Sequence, residues 1–179
     1  MNKFGHVTIT KNLIRGMNLK RRHRFCLTFG SILPDILIYT YAGGHRRSST
    51  QEMVFGKMKK LARSGRRDCL SFLRLGYILH YVEDYFTYPH NDWFAHGNRT
   101  HFSHECRLAI CAWDHRRRPL PPDVCHPMPV SALPAYIVRL HGRYAAGRPC
   151  IARDYHYIRR AGAALLFSYL WDWESFPAA

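Results

Sequence analysis

Residues 68–86 read DCLSFLRLGYILHYVEDYF, and this stretch decides the fold. Apolar side chains fall on almost every side of a helix drawn through it, from Leu70 to Tyr85. A surface helix would show one apolar stripe, whereas a helix that is apolar nearly all round is typical of the centre of a bundle. The stretch therefore predicts a buried central helix, with His80 and Asp84 placed inside it.

Apolar periodicity predicts further helices on both sides of this one. They cover residues 5–18, 51–64, 101–114, 131–145 and 152–172, and an apolar segment at 25–41 is interrupted at Leu33, Pro34 and Asp35. A basic turn is expected at 20–24 and a proline-rich loop at 116–129. The sequence shows no alternating strand pattern and no internal repeat. Its 179 residues suit one core, so we predict a single all-α domain over residues 1–179, built as a helical bundle.

The charge balance indicates an anionic partner. The chain has 27 Lys and Arg against 12 Asp and Glu, a formal net charge of +15. Such a surface attracts nucleic acid, anionic lipid headgroups or small phosphorylated compounds. The N-terminus lacks the apolar run of a secretory signal, which predicts a cytoplasmic protein. The longest apolar run, near residues 27–42, is broken by Gly30, Pro34 and Asp35, so no transmembrane segment is predicted. Six cysteines at irregular intervals, without a Cys-x-x-Cys pair, are expected to be reduced thiols.

Two His-x-x-x-carboxylate pairs, His80 with Asp84 and His101 with Glu105, carry the chemical signal, and His90 lies between them. A four-residue spacing places both side chains of a pair on one helical face, where they can converge on one ion. Imidazole and carboxylate are zinc ligands, and carboxylates can bridge two ions. One such pair is common by chance on a solvated helix face. Two pairs with an intervening histidine favour a metal site, particularly since an unpaired carboxylate in so apolar a helix is costly.

Three segments resemble a known family. They are GSILPDI at 30–36, LGYILHYVEDYFTYPHN at 75–91 and HFSHE at 101–105. Over about residues 5–110 the chain resembles the zinc-dependent phospholipase C family, which shares its helical fold with the single-strand-specific zinc nucleases. The order Asp, His, His-x-x-x-Asp, a histidine six residues later and His-x-x-x-Glu is similar to that family's ligand series.

The resemblance implies a multinuclear zinc site with two ions, or three if Asp84 also reaches a further one. The first ion would be held by Asp35, His45, His80 and Asp84, and the second by His90, His101 and Glu105. His6 matches the family's histidine near the N-terminus, with His23 as the alternative. In the secreted enzymes the amino end of a mature N-terminal tryptophan helps to hold the third ion, and this chain has Met1 there.

The resemblance also implies a zinc-dependent phosphoric-ester hydrolase, in which zinc-activated water attacks a phospholipid or a smaller phosphodiester. Asp35 is the predicted catalytic residue, a general base on that water. Two other functions stay open: a single-strand-specific zinc nuclease, for which nucleic acid is the partner, and a non-catalytic, metal-stabilised binding protein. Peripheral contact with an anionic membrane is a further expectation.

The remaining histidines are given no firm role. His96 and His104 neighbour the ligands and are read either as outer partners or as surface residues. Glu83 lies about 100° around the helix from Asp84, so it is not expected to share the same ion. No role is assigned to the histidines at positions 115, 126, 141 and 156.

Overall fold

A computed structural model describes residues 1–37, 46–120 and 128–175 of the chain, with side chains up to residue 171. Within these ranges the protein forms eight α-helices and no strand. The helices are α1 (Lys3–Leu13), α2 (Arg21–Gly30), α3 (Leu33–Ile36), α4 (Arg47–Arg63), α5 (Cys69–Tyr85), α6 (Asn98–Asp114), α7 (Leu133–Ala145) and α8 (Ile151–Ser175). Single 3-10 turns occur at Tyr88–His90 and Val130–Ala132. The predicted all-α class is confirmed.

Helix α5 is the predicted central helix. Asp68 caps its first turn, because Asp68 Oδ1 accepts hydrogen bonds from the backbone nitrogen and the hydroxyl of Ser71 at 2.8 and 2.9 Å. Every residue from Ile78 to Tyr85 is buried, whereas Leu70 in the first turn is 44% exposed, and α2, α4 and α8 pack around the helix. Helix α6 packs against α1 and α8. The two helices that carry the paired motifs, α5 and α6, therefore belong to one bundle.

Several predicted boundaries differ from the observed ones, since α4 and α6 begin at Arg47 and Asn98 rather than at residues 51 and 101, and the region of α1 and α2 differs more. The first helix stops at Leu13 rather than at residue 18, because the chain turns at Ile14–Met17 and Gly16 adopts a positive φ of 84°. The predicted basic turn at 20–24 is instead the start of α2, which begins at Arg21. Arg24 makes this turn possible, since its guanidinium donates hydrogen bonds to the carbonyl oxygens of Ile14, Met17 and Leu19.

Helices α2 and α5 approach unusually closely where Gly30 faces Gly76. A Cβ atom on Gly30 would overlap the carbonyl oxygen of Leu73, and one on Gly76 would overlap that of Leu27. This contact brings the end of α2, and with it Ser31 and the short helix α3, against the face of α5 that carries His80. None of the described helices is long and apolar enough to cross a membrane.

Candidate metal centre

Five segments converge on one end of α5. That helix supplies His80 and Asp84, both fully buried. The remaining side chains come from α1 (His6), α3 (Asp35), the 3-10 turn (His90) and α6 (His101 and Glu105). Candidate ligands that are up to about a hundred positions apart in the sequence therefore lie together, as a shared metal site requires.

The first group consists of His6, Asp35 and His80, each of which offers a ligand atom within 4.8 Å of the others. His80 Nε2 lies 3.8 Å from Asp35 Oδ1, and His6 Nε2 lies 4.0 Å from Asp35 Oδ2. The two imidazole rings are stacked with their centroids 4.1 Å apart. Two ring nitrogens and a carboxylate around a common point are a donor set that zinc accepts.

The second group consists of His90, His101 and Glu105, which meet the same criterion. Glu105 Oε1 lies 3.0 Å from His90 Nε2 and 2.9 Å from His101 Nε2. His101 is the most exposed of the three, with 35% of its side-chain surface accessible. This group therefore lies closer to solvent than the first.

Asp84 lies between the two groups. Its Oδ2 is 3.3 Å from His80 Nε2 and 3.6 Å from His90 Nδ1, and its Oδ1 is 3.4 Å from His6 Nε2. The amino nitrogen of Met1 lies 2.5 Å from Asp84 Oδ1 and 2.8 Å from His90 Nε2. A carboxylate placed between two sets of donors is suited to bridging two ions.

The structure brings seven of the eight predicted ligands together, and the eighth, His45, lies outside the described residues. Of the two N-terminal candidates, His6 is in the cluster. His23 is not, because its ring stacks on Phe72 with the centroids 4.2 Å apart.

Two hydrogen bonds orient the ligand histidines of the first group. The Nδ1–H of His80 donates to the carbonyl oxygen of Ser31 at 2.9 Å. The Nδ1–H of His6 donates to Glu83 Oε2 at 2.5 Å. Since Nδ1 is the donor in each bond, Nε2 is the atom left to hold a metal, and any proton on it would be released when the metal binds. His6 Nε2 is fully buried and has no hydrogen bond of good geometry among the described residues, which fits a metal ligand.

Glu83 is thus a site residue that the sequence analysis missed. Like Asp84, it is not a member of either group of candidate ligands. It is nevertheless fully buried, and its contact with His6 joins α1 to α5. No local spacing signals this pair, because the two residues are 77 positions apart.

Asp154 was also missed, and it supports the second group from outside. The side chain is fully buried at the start of α8. Its Oδ2 accepts hydrogen bonds from the backbone nitrogen of Tyr88 at 2.9 Å and from His104 Nε2 at 2.6 Å, and its Oδ1 accepts one from the Tyr144 hydroxyl at 2.8 Å. Tyr88 begins the turn that carries His90, so Asp154 fixes that turn against α6 and α7.

His141, to which no role was assigned, is buried as well. Its Nε2 donates to Asn91 Oδ1 at 2.7 Å, and the Asn91 amide in turn donates to the carbonyl oxygens of Tyr85 and Thr87. Asn91 therefore closes the segment between α5 and the 3-10 turn.

Charges within the cluster perturb its titrations strongly. Burial opposes ionisation of Asp84, but His90 and the neighbouring cationic groups outweigh it and hold the pKa well below the usual value. Burial likewise opposes protonation of His6, yet the Asp84 carboxylate raises its pKa to about 9. Burial and the charge on His6 lower the pKa of His80 well below its usual value, and burial raises the pKa of Glu83 to about 7. Such a concentration of shifted groups is typical of a functional site.

A cavity of about 860 Å³ opens beside the cluster. Asp35, His90, His101 and Glu105 form part of its wall. Its remaining polar side chains come from Asn2, Lys3, Arg46, Ser48, Ser49, His96 and Asn98. Both groups of candidate ligands therefore face a space large enough for a small-molecule substrate.

Comparison with protein families matches residues 5–151 to the family described as zinc dependent phospholipase C. The chain belongs to the zinc-dependent phospholipase C family. No curated protein and no solved structure matched the chain. All the described candidate ligands lie within the part that matches this family, and Asp154 lies just beyond it.

Proposed function

We propose that this family member is a zinc-dependent phosphoric-ester hydrolase of the phospholipase C kind. The observation that carries the proposal is the opening of both ligand groups, through Asp35, His90, His101 and Glu105, onto one cavity. A purely structural zinc site is closed, whereas a catalytic one keeps a position for water or substrate.

The donor set supports two zinc ions. His6, Asp35 and His80 would hold one ion, His90, His101 and Glu105 would hold the other, and Asp84 would bridge them. The prediction that His45 joins the first ion stands as part of this proposal. When bound, the ions lower the pKa of a water molecule to near neutrality and polarise the phosphoryl oxygens.

Asp35 is the residue that we assign to proton transfer. Its carboxylate lines the cavity and retains 12% exposure, unlike the fully buried Asp84. A proton from the attacking water would pass to an Asp35 carboxylate oxygen as the new phosphorus–oxygen bond forms. The Asp35 carboxylate oxygens lie 3.8 and 4.0 Å from the Nε2 atoms of His80 and His6, beyond hydrogen-bond distance but within reach of a shared ion. The leaving alkoxide departs opposite the attacking oxygen and takes up a proton from solvent.

Hydrolysis of bis(4-nitrophenyl) phosphate by zinc-loaded protein tests the proposal. We expect turnover that chelation abolishes, that His80→Ala abolishes and that Asp35→Asn reduces by about 100-fold or more, in the range seen for loss of a general base. His156→Ala is the matched control, because His156 is exposed on α8 and does not line the cavity.

Natural substrates separate the related activities. Release of diacylglycerol from phospholipid vesicles would assign the phospholipase reaction, and degradation of single-stranded DNA would assign the nuclease. A protein shown to hold two zinc ions that hydrolyses none of these substrates would contradict the enzyme proposal and favour a metal-stabilised binding protein.

A further inference from the structure

The charges around the cavity bear on which phosphate esters fit it. Two of its lining residues, Lys3 and Arg46, are cationic and exposed, and neither forms an ion pair with an acid in the part of the chain that the structure describes. The acidic lining residues are Asp35 and Glu105, and both are candidate metal ligands. Within the described ranges, therefore, no acid is paired with the positive charge that these two side chains bring to the cavity.

Two zinc ions would bring four positive charges to the centre, and the buried Met1 amino group, 2.5 Å from Asp84 Oδ1, adds a fifth. Against them stand the four carboxylates Asp35, Glu83, Asp84 and Glu105, so the single negative charge of a phosphodiester would balance the centre. No acid of the described residues pairs with Lys3 or Arg46, and a second anionic group on the substrate would provide their counterion.

One neutral hydrogen-bond donor accompanies these cations. Asn98 lines the cavity, and an amide can donate to phosphate or carboxylate oxygens. Ser48 and Ser49 also line the cavity, but their hydroxyls donate to Asp92 Oδ1 at 2.8 Å and to the Arg46 carbonyl oxygen at 2.9 Å.

A cationic headgroup would be repelled by the charges of Lys3 and Arg46. Quaternary ammonium groups are recognised by open aromatic faces together with nearby acids. Of the two phenylalanines that line the cavity, Phe94 is 9% exposed, whereas Phe4 is 54% exposed and leaves an aromatic face open. The acids that line the cavity, Asp35 and Glu105, are candidate metal ligands and would be neutralised by the ions rather than by a cationic headgroup.

We propose that the substrate of this site is a phosphoric ester that carries a second anionic group, a phosphate or carboxylate, which Lys3 and Arg46 bind. This inference rests on the proposed function and restricts it, since it excludes esters of choline-like alcohols as preferred substrates. The same second anion could belong to a lipid headgroup or to a free phosphorylated compound.

Three 4-nitrophenyl phosphodiesters test the proposal on zinc-loaded protein. Their second ester arms have equal length and end in a carboxylate, a methyl group or a trimethylammonium group. We expect kcat/KM to fall in that order at low ionic strength, and the differences to shrink as salt is added. Calorimetric binding of the corresponding non-hydrolysable phosphonates should show the same order.

Charge-removing variants locate the effect. Lys3→Gln and Arg46→Gln should each reduce the preference for carboxylate over methyl by about five-fold, the size expected of one exposed charge pair. Lys59→Gln and Arg148→Gln are matched controls, because both residues are exposed and neither lines the cavity. Circular dichroism establishes that each variant is folded.

The outcomes separate this proposal from the hydrolase proposal. Turnover of all three diesters without preference, or with preference for the ammonium arm, overturns the second-anion proposal and leaves the hydrolase standing. If none of the diesters is hydrolysed but the phosphonates still bind in the order carboxylate, methyl, ammonium, the hydrolase proposal is overturned and the second-anion proposal stands. Vesicles of phosphatidylinositol and of phosphatidylinositol 4-phosphate then identify the source. Preferred cleavage of the latter supports a lipid headgroup, and a preference confined to the diesters supports a free compound.

Discussion

Removal of the Glu83 carboxylate should weaken zinc binding without touching a ligand. Glu83 is fully buried, and it accepts the His6 Nδ1–H at 2.5 Å. That bond keeps the proton on Nδ1 and leaves Nε2 for the metal. Without it, the imidazole can rotate or carry its proton on Nε2, and zinc must displace that proton.

The size of the effect follows from the bond that is lost. A hydrogen bond to a charged group contributes about 1.5–3 kcal/mol. A loss of this size corresponds to about a 10- to 100-fold increase in the zinc Kd, the range known for partners of metal-bound histidines. Glu83→Gln keeps an oxygen acceptor and should lie near the lower limit. Glu83→Ala also leaves a cavity and should lie at or above the upper limit.

Competition with a chromophoric chelator measures the zinc Kd of each variant directly. Glu52→Gln is the matched control, since Glu52 is exposed on α4. Circular dichroism before titration shows whether each variant is folded. A folded Glu83→Gln protein and a folded Glu83→Ala protein that both bind zinc as tightly as the native chain would refute the assigned role of Glu83.

Three further predictions follow from the geometry. Elemental analysis of the reconstituted protein should give two zinc ions per chain, and less than one ion per chain would contradict the ligand assignment. Chelation should lower the Tm of the native chain much more than that of Asp84→Asn. Asp154→Asn should lower the free energy of unfolding by about 2–4 kcal/mol, because an amide cannot accept from Tyr88 N, His104 Nε2 and the Tyr144 hydroxyl together. An unchanged free energy of unfolding in denaturant titration would contradict this role of Asp154. Burial lowers the pKa of His141 to about 4 in the folded protein. Between about pH 6.5 and pH 4 the unfolded chain therefore binds more protons than the folded one, and the free energy of unfolding should fall as the pH falls. Melting curves of metal-free protein over this pH range should show a smaller decline for His141→Gln than for the native chain.

Regular periodicity made most of the fold predictable. The apolar residues of α5 indicated a central helix, and every other predicted helix is present in the described ranges, although α1, α2, α4 and α6 have shifted ends. The ends of α1 and α2 depend on the positive φ of Gly16 and on hydrogen bonds from Arg24, which are features of the folded chain. A hydrophobic pattern contains no information about them.

The candidate site was predictable where ligands follow a spacing and not where their partners are remote. His80 with Asp84 and His101 with Glu105 are one helical turn apart, so the sequence itself displays them. Glu83 is adjacent to Asp84 in sequence, yet its partner lies on another helix, and Asp154 supports the centre from beyond the matching segments. Such contacts arise only when the helices pack.

The close contact of α2 and α5 at Gly30 and Gly76 makes the metal centre dependent on the packing of the core. A methyl group at either position would push α2 away from α5, and the Ser31 carbonyl that holds His80 would move with it. Neither glycine has a side chain that could bind the metal, so a substitution would appear as a loss of zinc without the loss of any ligand. In candidate relatives, small residues at these two positions should therefore accompany the aspartate and histidine of the first group, and a bulky residue there would argue that the centre has been lost even where its ligands persist.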